Sequence, residues 1–205
     1  MNRSKTYELF EFDKRYSGLI AGVDEAGRGP LAGPVVAAAC IMPRDGFTDG
    51  VNDSKQLSEC AREKLYALIT SHAVAYNVAV VEHTVIDEIN ILNATKLAMT
   101  RAVEGLSVRP DIAVIDAVKL SLSVPSDSVI KGDAKSYSVA AASIIAKVTR
   151  DRIMADYDTV YPGYGFARNK GYGTAAHIKA INELGYCPIH RITFRVKGEA
   201  HGTHS

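Results

Sequence analysis

Features common in exported and membrane proteins are scarce in this chain of 205 residues. It has 3 cysteines, widely spaced and without a CxxC pair, which argues against a disulfide framework and against a zinc knuckle. Residues 1–18 contain no apolar segment of the kind that forms a secretory signal. The longest apolar run, residues 35–42, is far too short to cross a bilayer. We therefore expect a soluble cytoplasmic protein without a membrane segment.

Charge of one sign is not in excess, and several catalytic motifs are missing. The formal net charge is +1, yet residues 131–197 carry 11 Lys and Arg against 5 Asp and Glu. This asymmetry is typical of a protein that holds a polyanion against a cation-loaded acidic site, although a solvated surface explains it equally well. The sequence lacks the GxSxG, HExxH, P-loop and EF-hand motifs, which argues against the enzyme and binding classes that depend on them.

Hydrophobic periodicity predicts a mixed α/β protein of one domain. The predicted strands are 19–23, 31–42, 73–81, 111–115 and a brief edge strand at 129–130. The predicted helices are 58–71, with Ser58 as N-cap, 84–89, 92–105, 138–157 and 177–184. The first two strands flank a GRGP turn, which predicts an antiparallel hairpin.

Acidic residues stand where predicted strands end. Asp24 and Glu25 close the first strand, Asp116 closes the fourth, and Asp133 follows the edge strand. A desolvated carboxylate is unfavourable unless a partner compensates it, and ligands of α/β sheets collect at strand ends. Taken singly, Asp116 or Asp133 is more readily explained as a turn or cap residue. As a set, the four acids would share a pocket that requires cations, and oxygen ligands in that number suit Mg2+ or Mn2+ rather than zinc.

A second candidate site is the glycine-rich stretch GRGPLAG, residues 27–33. A dinucleotide-binding loop requires GxGxxG at the start of a helix, whereas here the spacing is GxGxxxG, Pro30 interrupts it, and a strand follows. Glycines allow a backbone to approach a ligand closely, and exposed N–H groups together with Arg28 would bind sugar or phosphate oxygens. A plain hairpin turn explains the glycines but not an arginine beside two acids.

The third candidate is the segment 161–174, which its glycines predict to be a loop. Aromatic side chains alternate there with Arg168 and Lys170, a pattern that proteins use to stack on nucleotides and to neutralise phosphates. The aromatic residues are Tyr161, Tyr164, Phe166 and Tyr172. Core packing is the alternative for each of them.

Seven blocks of the sequence, in order, resemble those of bacterial ribonuclease HII. They are GVDEAGRGPLAGPVVAAA, NDSKQLS, INILNATKLAM, VIDA, KGDAKSYSVAAASIIAKVTRDR, YPGYGFARNKGYGT and HRITF. Because these blocks cover nearly the whole chain, the resemblance is far more specific than any single motif. It implies an RNase H-like α/β fold, with a mixed central sheet flanked by helices and a C-terminal helical extension. On this basis residues 1–18 form an N-terminal extension, 19–197 a single catalytic domain and 198–205 a flexible tail.

The resemblance further implies endonucleolytic cleavage of the RNA strand in RNA·DNA hybrids. It implies nicking 5′ of a single ribonucleotide embedded in duplex DNA, with 5′-phosphate and 3′-hydroxyl products and a role in replication and ribonucleotide excision repair. We expect the protein to act as a monomer. The alternatives are a DNA junction resolvase, a non-catalytic hybrid-binding module and a nucleotide-cofactor enzyme that uses the 27–33 loop.

Site residues follow from the resemblance by matching position. The implied catalytic metal ligands, for Mg2+ or Mn2+, are Asp24, Glu25, Asp116 and Asp133. The loop implied to recognise the ribonucleotide is Gly27, Arg28 and Gly29. Tyr172 is implied to sense the RNA–DNA junction. Lys55 of the NDSKQLS block and Lys147 of the long helix are predicted to contact substrate; neighbouring Arg150 and Arg152 are candidates for phosphate contacts or for a solvated face.

The fourth carboxylate has a rival in Asp151 of the VTRDR run. We prefer Asp133, because it precedes the long helix and can point into the site, whereas Asp151 lies within that helix. Departures from the family pattern are confined to HRITFRVK, where Thr193 and Arg195 stand in place of the usual HRxSFxPV. These changes are expected to alter C-terminal packing and substrate contacts rather than the catalytic centre.

Overall fold

A sheet with five strands organises the structure, a computed structural model that describes residues 4–46 and 48–194. The strands are β1 (Ile20–Ala26), β2 (Val35–Ile41), β3 (Ala75–Val81), β4 (Ile112–Asp116) and β5 (Ser126–Val129). Their order is β3-β2-β1-β4-β5. The pairs β1–β2 and β2–β3 are antiparallel, while β1–β4 and β4–β5 are parallel. The predicted hairpin and mixed sheet are therefore confirmed, and the edge strand exists but ends before Ile130.

Six helices accompany the sheet in the described part of the chain. They are α1 (Lys5–Asp13), α2 (Glu59–His72), α3 (His83–Glu104), α4 (Tyr137–Val160), α5 (Phe166–Asn169) and α6 (Ala175–Leu184). The Ser58 side chain accepts a hydrogen bond from the Ala61 N–H, which confirms the predicted N-cap of α2. The two predicted helices 84–89 and 92–105 join in α3, where Asn90 at φ 65° interrupts the helical backbone.

Helices cover both faces of the sheet. On one face, α3 packs on the middle strands and buries an aliphatic cluster that includes Val23, Ile86 and Ile115. On the other face, α4 lies across β1 and β2, with α1 and α2 packed beside it. The prediction of a single buried face on the long helix is too narrow, because residues 137–146 of α4 are buried all the way round.

A glycine permits the close contact between α4 and β1. A Cβ atom added at Gly22 would lie 2.0 Å from the carbonyl carbon of Ser138, closer than any real contact. With no side chain at this position, the first turn of α4 rests directly on the strand. The N-terminal end of α4 is thereby held against the strand that carries Asp24 and Glu25.

Residues 1–18, assigned to an N-terminal extension, contain helix α1, whose Leu9 is buried in the core. The Asp13 carboxylate accepts hydrogen bonds from the Ser138 N–H at 2.8 Å and from the Ser138 hydroxyl at 2.7 Å, which joins α1 to the start of α4.

Near the other end of the chain, the loop predicted at 161–174 contains α5, so that part of the prediction is wrong. Arg195 and the predicted tail 198–205 lie outside the described residues. No helix of the described chain is long and apolar enough to span a membrane.

Candidate active site

The carboxyl ends of β1 and β4 bring two acids side by side. These strands are parallel, and Val23 pairs with Ile115, so the next residues, Asp24 and Asp116, leave the sheet at the same edge. Because strand residues alternate between faces, both side chains belong to the face on which α4 packs. The sequence prediction that strand-end acids converge therefore has a direct basis in the sheet register.

Asp24 is deeply buried, with 4% of its surface exposed. One of its carboxylate oxygens accepts a hydrogen bond from the Glu25 N–H at 2.8 Å. Burial raises the pKa of Asp24 well above its usual range, and the charges of Glu25, Asp116 and Asp133 raise it further. In the absence of a cation, the protein therefore disfavours the charged form of this group.

Glu25 follows Asp24 in the strand and so leaves the sheet on the opposite side. Its Oε1 atom lies 3.4 Å from the guanidinium of Arg28, while its Oε2 atom is buried without a hydrogen-bond partner among the described residues. Burial raises the pKa of Glu25, and the charge of Arg28 only partly offsets this. The free oxygen is an open acceptor position beside the glycine-rich loop.

Asp116 is held by the turn that delivers the fourth acid. Its Oδ1 atom accepts a hydrogen bond from the Gly132 N–H at 2.6 Å. The preceding residue, Lys131, has φ 57°, a left-handed conformation that turns the chain back toward β4. Burial and the charge of Asp133 raise the pKa of Asp116, with burial as the larger cause. The hydrogen bond from Gly132 lowers this pKa and offsets part of the rise.

Asp133 is buried and ion-paired with the predicted substrate-binding residue Lys55. The Lys55 ammonium lies 2.9 Å from the Asp133 carboxylate, and the lysine side chain is 74% exposed. Burial lowers the pKa of Lys55, but the hydrogen bond to Asp133 and the negative charges nearby outweigh this and raise it. Lys55 thus touches an acid of the site, as Arg28 does at Glu25.

The rival residue Asp151 has other partners. Its carboxylate lies 2.6 Å from the ammonium of Lys147, one turn earlier on α4, and 3.8 Å from the guanidinium of Arg62. Both of its oxygens are therefore compensated by cations from the protein, whereas Asp133 adds negative charge to Asp24 and Asp116. This arrangement favours Asp133 as the fourth carboxylate. It also leaves Lys147 half-buried in an ion pair rather than free toward the acids.

The acids fit a divalent cation, although they do not form a closed cage. Within residues 4–46 and 48–194, no three His, Cys, Asp or Glu side chains are arranged to hold a metal ion by themselves. A cation would nevertheless stabilise the charged forms of the three acids whose pKa values are raised, Asp24, Glu25 and Asp116. It would also give the unpartnered Oε2 atom of Glu25 a partner.

The predicted ribonucleotide loop is built on two buried arginines that sequence reasoning missed. We call residues 27–34 the glycine loop. The five N–H donors of Arg191 bind five loop carbonyl oxygens at 2.6–3.2 Å, those of Gly27, Arg28, Pro30, Gly33 and Pro34. Arg150 donates to three carbonyl oxygens at 2.8–3.1 Å, those of Ala32 and Lys170 and, shared with Arg191, that of Pro34. Both arginines are 1% exposed.

The sequence offered two roles for Arg150, a phosphate contact or a position on a solvated face. Arg150 has neither of them, because it contacts the glycine loop from beneath. A Cβ atom at Gly27 would lie 2.1 Å from its Nε, and Gly27 has φ +102°. Arg152 instead lies on the surface, where it pairs with Glu63 and stacks on Tyr66. No local sequence pattern separates a buried arginine from an exposed one two positions away.

Tyr172 lies against the glycine loop with an exposed ring. Its Cε1 atom would be 3.5 Å from a Cβ atom at Gly29, and 45% of the residue is accessible. The Leu31 N–H donates to the Gly171 carbonyl at 2.8 Å, which connects the two segments. The other aromatic residues differ: Tyr164 and Phe166 are buried and stack on each other, so the interpretation of them as nucleotide-stacking residues is wrong.

Two further histidines form a directional chain of hydrogen bonds behind Tyr172. The Nδ1 of His177 lies 2.9 Å from the Tyr172 carbonyl, and so must donate to it. Its Nε2 then accepts from the Nε2 of His190 at 3.1 Å, and the Nδ1 of His190 accepts from the Cys187 N–H at 2.9 Å. These partners assign one proton to each ring. In this neutral arrangement the pair fixes the backbone carbonyl of Tyr172.

The last described segment is also held by a carboxylate. The Asp87 side chain accepts hydrogen bonds at 3.0 Å from the N–H groups of Ile192 and Thr193 and one from the Thr193 hydroxyl. A serine at position 193 would offer the same hydroxyl. The departure at Thr193 therefore preserves this contact, which keeps Arg191 in place beneath the glycine loop.

Comparison with protein families gives one match, described as Ribonuclease HII, over residues 21–197. Among curated proteins, the chain is similar to a ribonuclease HII of Acetivibrio thermocellus, with 58% identity over 189 residues. That alignment covers 92% of this chain and 73% of the relative. A ribonuclease HII of Listeria monocytogenes is 55% identical over 200 residues, which is 98% of this chain and 76% of that protein.

Among solved structures, the chain is similar to ribonuclease H2 from Pyrococcus horikoshii OT3. The two share a TM-score of 0.74 and 31% identity over 86% of this chain and 93% of the other. The ribonuclease HII of Archaeoglobus fulgidus, solved as a complex with PCNA, gives a TM-score of 0.72 and 26% identity over 89% and 98% of the two chains. These matches confirm the predicted α/β fold.

Proposed function

Because the chain belongs to the ribonuclease HII family, and so is a ribonuclease H endonuclease that acts on RNA·DNA hybrids, we propose that it also nicks duplex DNA 5′ of a single embedded ribonucleotide. The observation that carries this proposal is the contact between the glycine loop and Tyr172 at the edge where the acids emerge. A loop that presents backbone amides beside an exposed aromatic ring is suited to one sugar and its neighbour, rather than to a long uniform helix.

The acids are proposed to hold Mg2+ or Mn2+. The negative charges of Asp116 and Asp133 act on Asp24, so these three carboxylates lie close enough to attract the same cations. The unpartnered Oε2 atom of Glu25 is a further ligand oxygen. When bound, a pair of divalent ions supplies an activated water and stabilises the leaving 3′ oxygen, which gives 5′-phosphate and 3′-hydroxyl ends. The contribution of the protein is to fix the carboxylates and to offset part of the rise in their pKa values, through the Gly132 N–H on Asp116 and the Glu25 N–H on Asp24.

The remaining site residues are proposed to bind the nucleic acid. The 2′-hydroxyl both donates and accepts hydrogen bonds, and is the only group that distinguishes a ribonucleotide from a deoxyribonucleotide. The exposed N–H groups of Arg28 and Gly29 are suited to read it, and Tyr172 to stack on the next sugar. Lys55 would contact a phosphate, because most of its side chain is exposed. Lys147 stays a predicted contact that would first have to leave Asp151.

The decisive experiment compares two duplexes of identical sequence, one with a single ribonucleotide and one entirely of DNA, in millimolar Mg2+. We expect a nick on the 5′ side of the ribonucleotide and no cleavage of the DNA control. Cleavage of both would indicate a resolvase-like DNA nuclease, and binding without cleavage would indicate a hybrid-binding module. Sequencing the nicked ends tests the proposed 5′-phosphate product.

The cellular setting is part of the same proposal. An enzyme with this specificity would act in the cytoplasm as a monomer, on ribonucleotides left in DNA during replication, and would begin their excision repair. Light scattering of the purified protein with and without duplex tests the monomeric state. A dimer in both conditions would contradict it.

A further inference from the structure

The carbonyl groups of the glycine loop point almost entirely inward. Arg150 and Arg191 bind six of the eight carbonyls in residues 27–34, and a seventh, that of Leu31, accepts the Arg191 N–H at 2.8 Å. In a peptide unit the N–H points away from the C=O. Within the part of the chain that the structure describes, the N–H groups of Arg28 and Gly29 donate to no protein acceptor, and both residues are exposed.

The two arginines also place positive charge beneath the loop. Neither forms an ion pair with a carboxylate in the described chain, and their hydrogen bonds go to carbonyl oxygens instead. Burial lowers the pKa of Arg191 to about 9 and that of Arg150 to about 10, which leaves both charged at neutral pH. Two buried cations behind a row of outward amides favour an anionic or hydrogen-bond-accepting ligand on the outer side, because the charges of Asp151 and Asp87 offset them only at longer range.

We propose that Arg150 and Arg191 are positioning residues for ribonucleotide recognition: their forks hold the loop carbonyls inward so that the Arg28 and Gly29 amides face the sugar-phosphate of the substrate. This inference rests on the proposed function. The positioning role explains why two charged side chains are buried here, although apolar side chains would avoid the unfavourable desolvation of a charge. A planar guanidinium with five donors is required, because an ammonium offers three donors from a single point.

The test uses Arg191→Lys and Arg150→Lys in the full-length chain. Lysine keeps the charge but cannot reach five carbonyls, so part of the loop is released. With Ca2+ in place of Mg2+ to prevent turnover, Kd is measured for the single-ribonucleotide duplex and for the all-DNA duplex of the same sequence. We expect the preference for the ribonucleotide to fall about 10-fold in Arg191→Lys, the value of roughly one hydrogen bond, and less in Arg150→Lys, which loses fewer contacts.

A second readout separates positioning from general destabilisation. Amide hydrogen exchange over residues 25–34 should accelerate in both variants at a temperature where each is fully folded. Arg44→Lys is the matched control, because Arg44 also binds two backbone carbonyls, those of Tyr16 and Gly18, far from the loop. It should lower the melting temperature without changing the Kd ratio or the exchange of the loop.

The outcomes distinguish the two proposals. Folded Arg191→Lys and Arg150→Lys proteins with the wild-type Kd ratio would overturn the positioning role, even if cleavage is intact. A wild-type protein with no preference for the ribonucleotide would instead overturn the proposed function. Should Arg191→Lys fail to fold, the smaller change in Arg150→Lys decides, since Arg150 holds Ala32 and Pro34 of the same loop.

Discussion

Asp24 and Asp116 are neighbours on parallel strands, and their environments show what single side chains contribute to the site. Asp24 is nearly inaccessible and depends on a cation for its charge, whereas Asp116 is half-buried and has the Gly132 N–H to stabilise it. Removal of the Asp116 charge therefore tests metal binding with little structural change. An amide at this position keeps an oxygen that can accept the Gly132 hydrogen bond.

We expect Asp116→Asn to lower kcat by at least about a hundredfold, because a metal ligand loses its charge. Its melting temperature should be unchanged or higher, since burial and the charge of Asp133 raise the pKa of Asp116 and the substitution removes that repulsion. Cleavage assays and thermal melts measure both quantities. The control is Asp127→Asn on β5, whose carboxylate binds the Tyr16 hydroxyl instead. Near-normal turnover of Asp116→Asn at millimolar Mg2+ would rule out its role as a ligand.

Tyr172 is the second residue that a single substitution tests. Tyr172→Ala should lower kcat/KM on a single-ribonucleotide duplex by roughly 10- to 100-fold, the equivalent of about 1–3 kcal/mol of stacking. The loss on a uniform RNA·DNA hybrid should be smaller. The melting temperature should stay within a few degrees, because the ring is exposed and His177 binds the backbone carbonyl rather than the phenol. Equal losses on both substrates would exclude junction sensing.

Helix α4 shows how the elements depend on one another. Its first turn contacts β1 at Gly22 and α1 through Asp13, and the residues just before it supply Asp133. A shift of this helix would move a proposed metal ligand and a structural contact together. The position of the site is therefore set by packing between elements, and not only by the strands that carry the acids.

Gly22→Ala should destabilise the protein by about 3 kcal/mol or more, because the new methyl group would meet Ser138 and Val139 backbone atoms at 2.0–2.3 Å. The contact joins the β1 backbone at Gly22 to the α4 backbone at Ser138 and Val139, and neither backbone can move away without separating α4 from the sheet. Chemical denaturation measures the free energy of unfolding. Gly46→Ala is the control, since no atom of the described residues lies within 4 Å of a Cβ there, and it should change stability by less than about 0.5 kcal/mol. Similar losses in the two variants would contradict this account.

The elements and the acids could be predicted from the sequence because their signals are local. Alternation and helical spacing identified the strands and helices, and an acid directly after a buried strand identified Asp24 and Asp116. The supports of the site have no such signal. Arg191 contacts residues more than 150 positions earlier, and Tyr164 and Phe166 look like exposed stacking residues until the fold buries them. The buried positions of these side chains depend on packing between residues far apart in the sequence, which local patterns do not show.

The molecule as a whole carries an acid-sensitive contact at His177 and His190. Burial, together with the charges of His177 and His83, lowers the pKa of His190 to about 4, and the backbone hydrogen bond with Cys187 offsets only part of this. The unfolded chain binds this proton near pH 6.5, whereas the folded protein binds it only near pH 4. The free energy of unfolding is therefore fully retained above pH 6.5 and falls as the pH decreases toward 4.

We expect this histidine to remove roughly 1–3 kcal/mol of stability across that window. Denaturation at several pH values should show a flatter profile for His190→Gln, which keeps a hydrogen-bonding group but does not titrate. The carboxylates titrate in both proteins, so the difference between the two profiles isolates the histidine. Parallel profiles would mean that His190 is protonated equally in the folded and unfolded states.

The link between Arg191 and the glycine loop has a consequence for the order in which the protein matures. The loop is among the first parts of the domain to be synthesised, and the arginine that completes it is among the last. During translation, β1 and β2 can pair early, but most carbonyls of the loop between them have no partner until residue 191 has left the ribosome. A nascent chain would therefore acquire its sheet before it could discriminate between nucleic acids, and the proposed selectivity would be the last property that the folding protein gains.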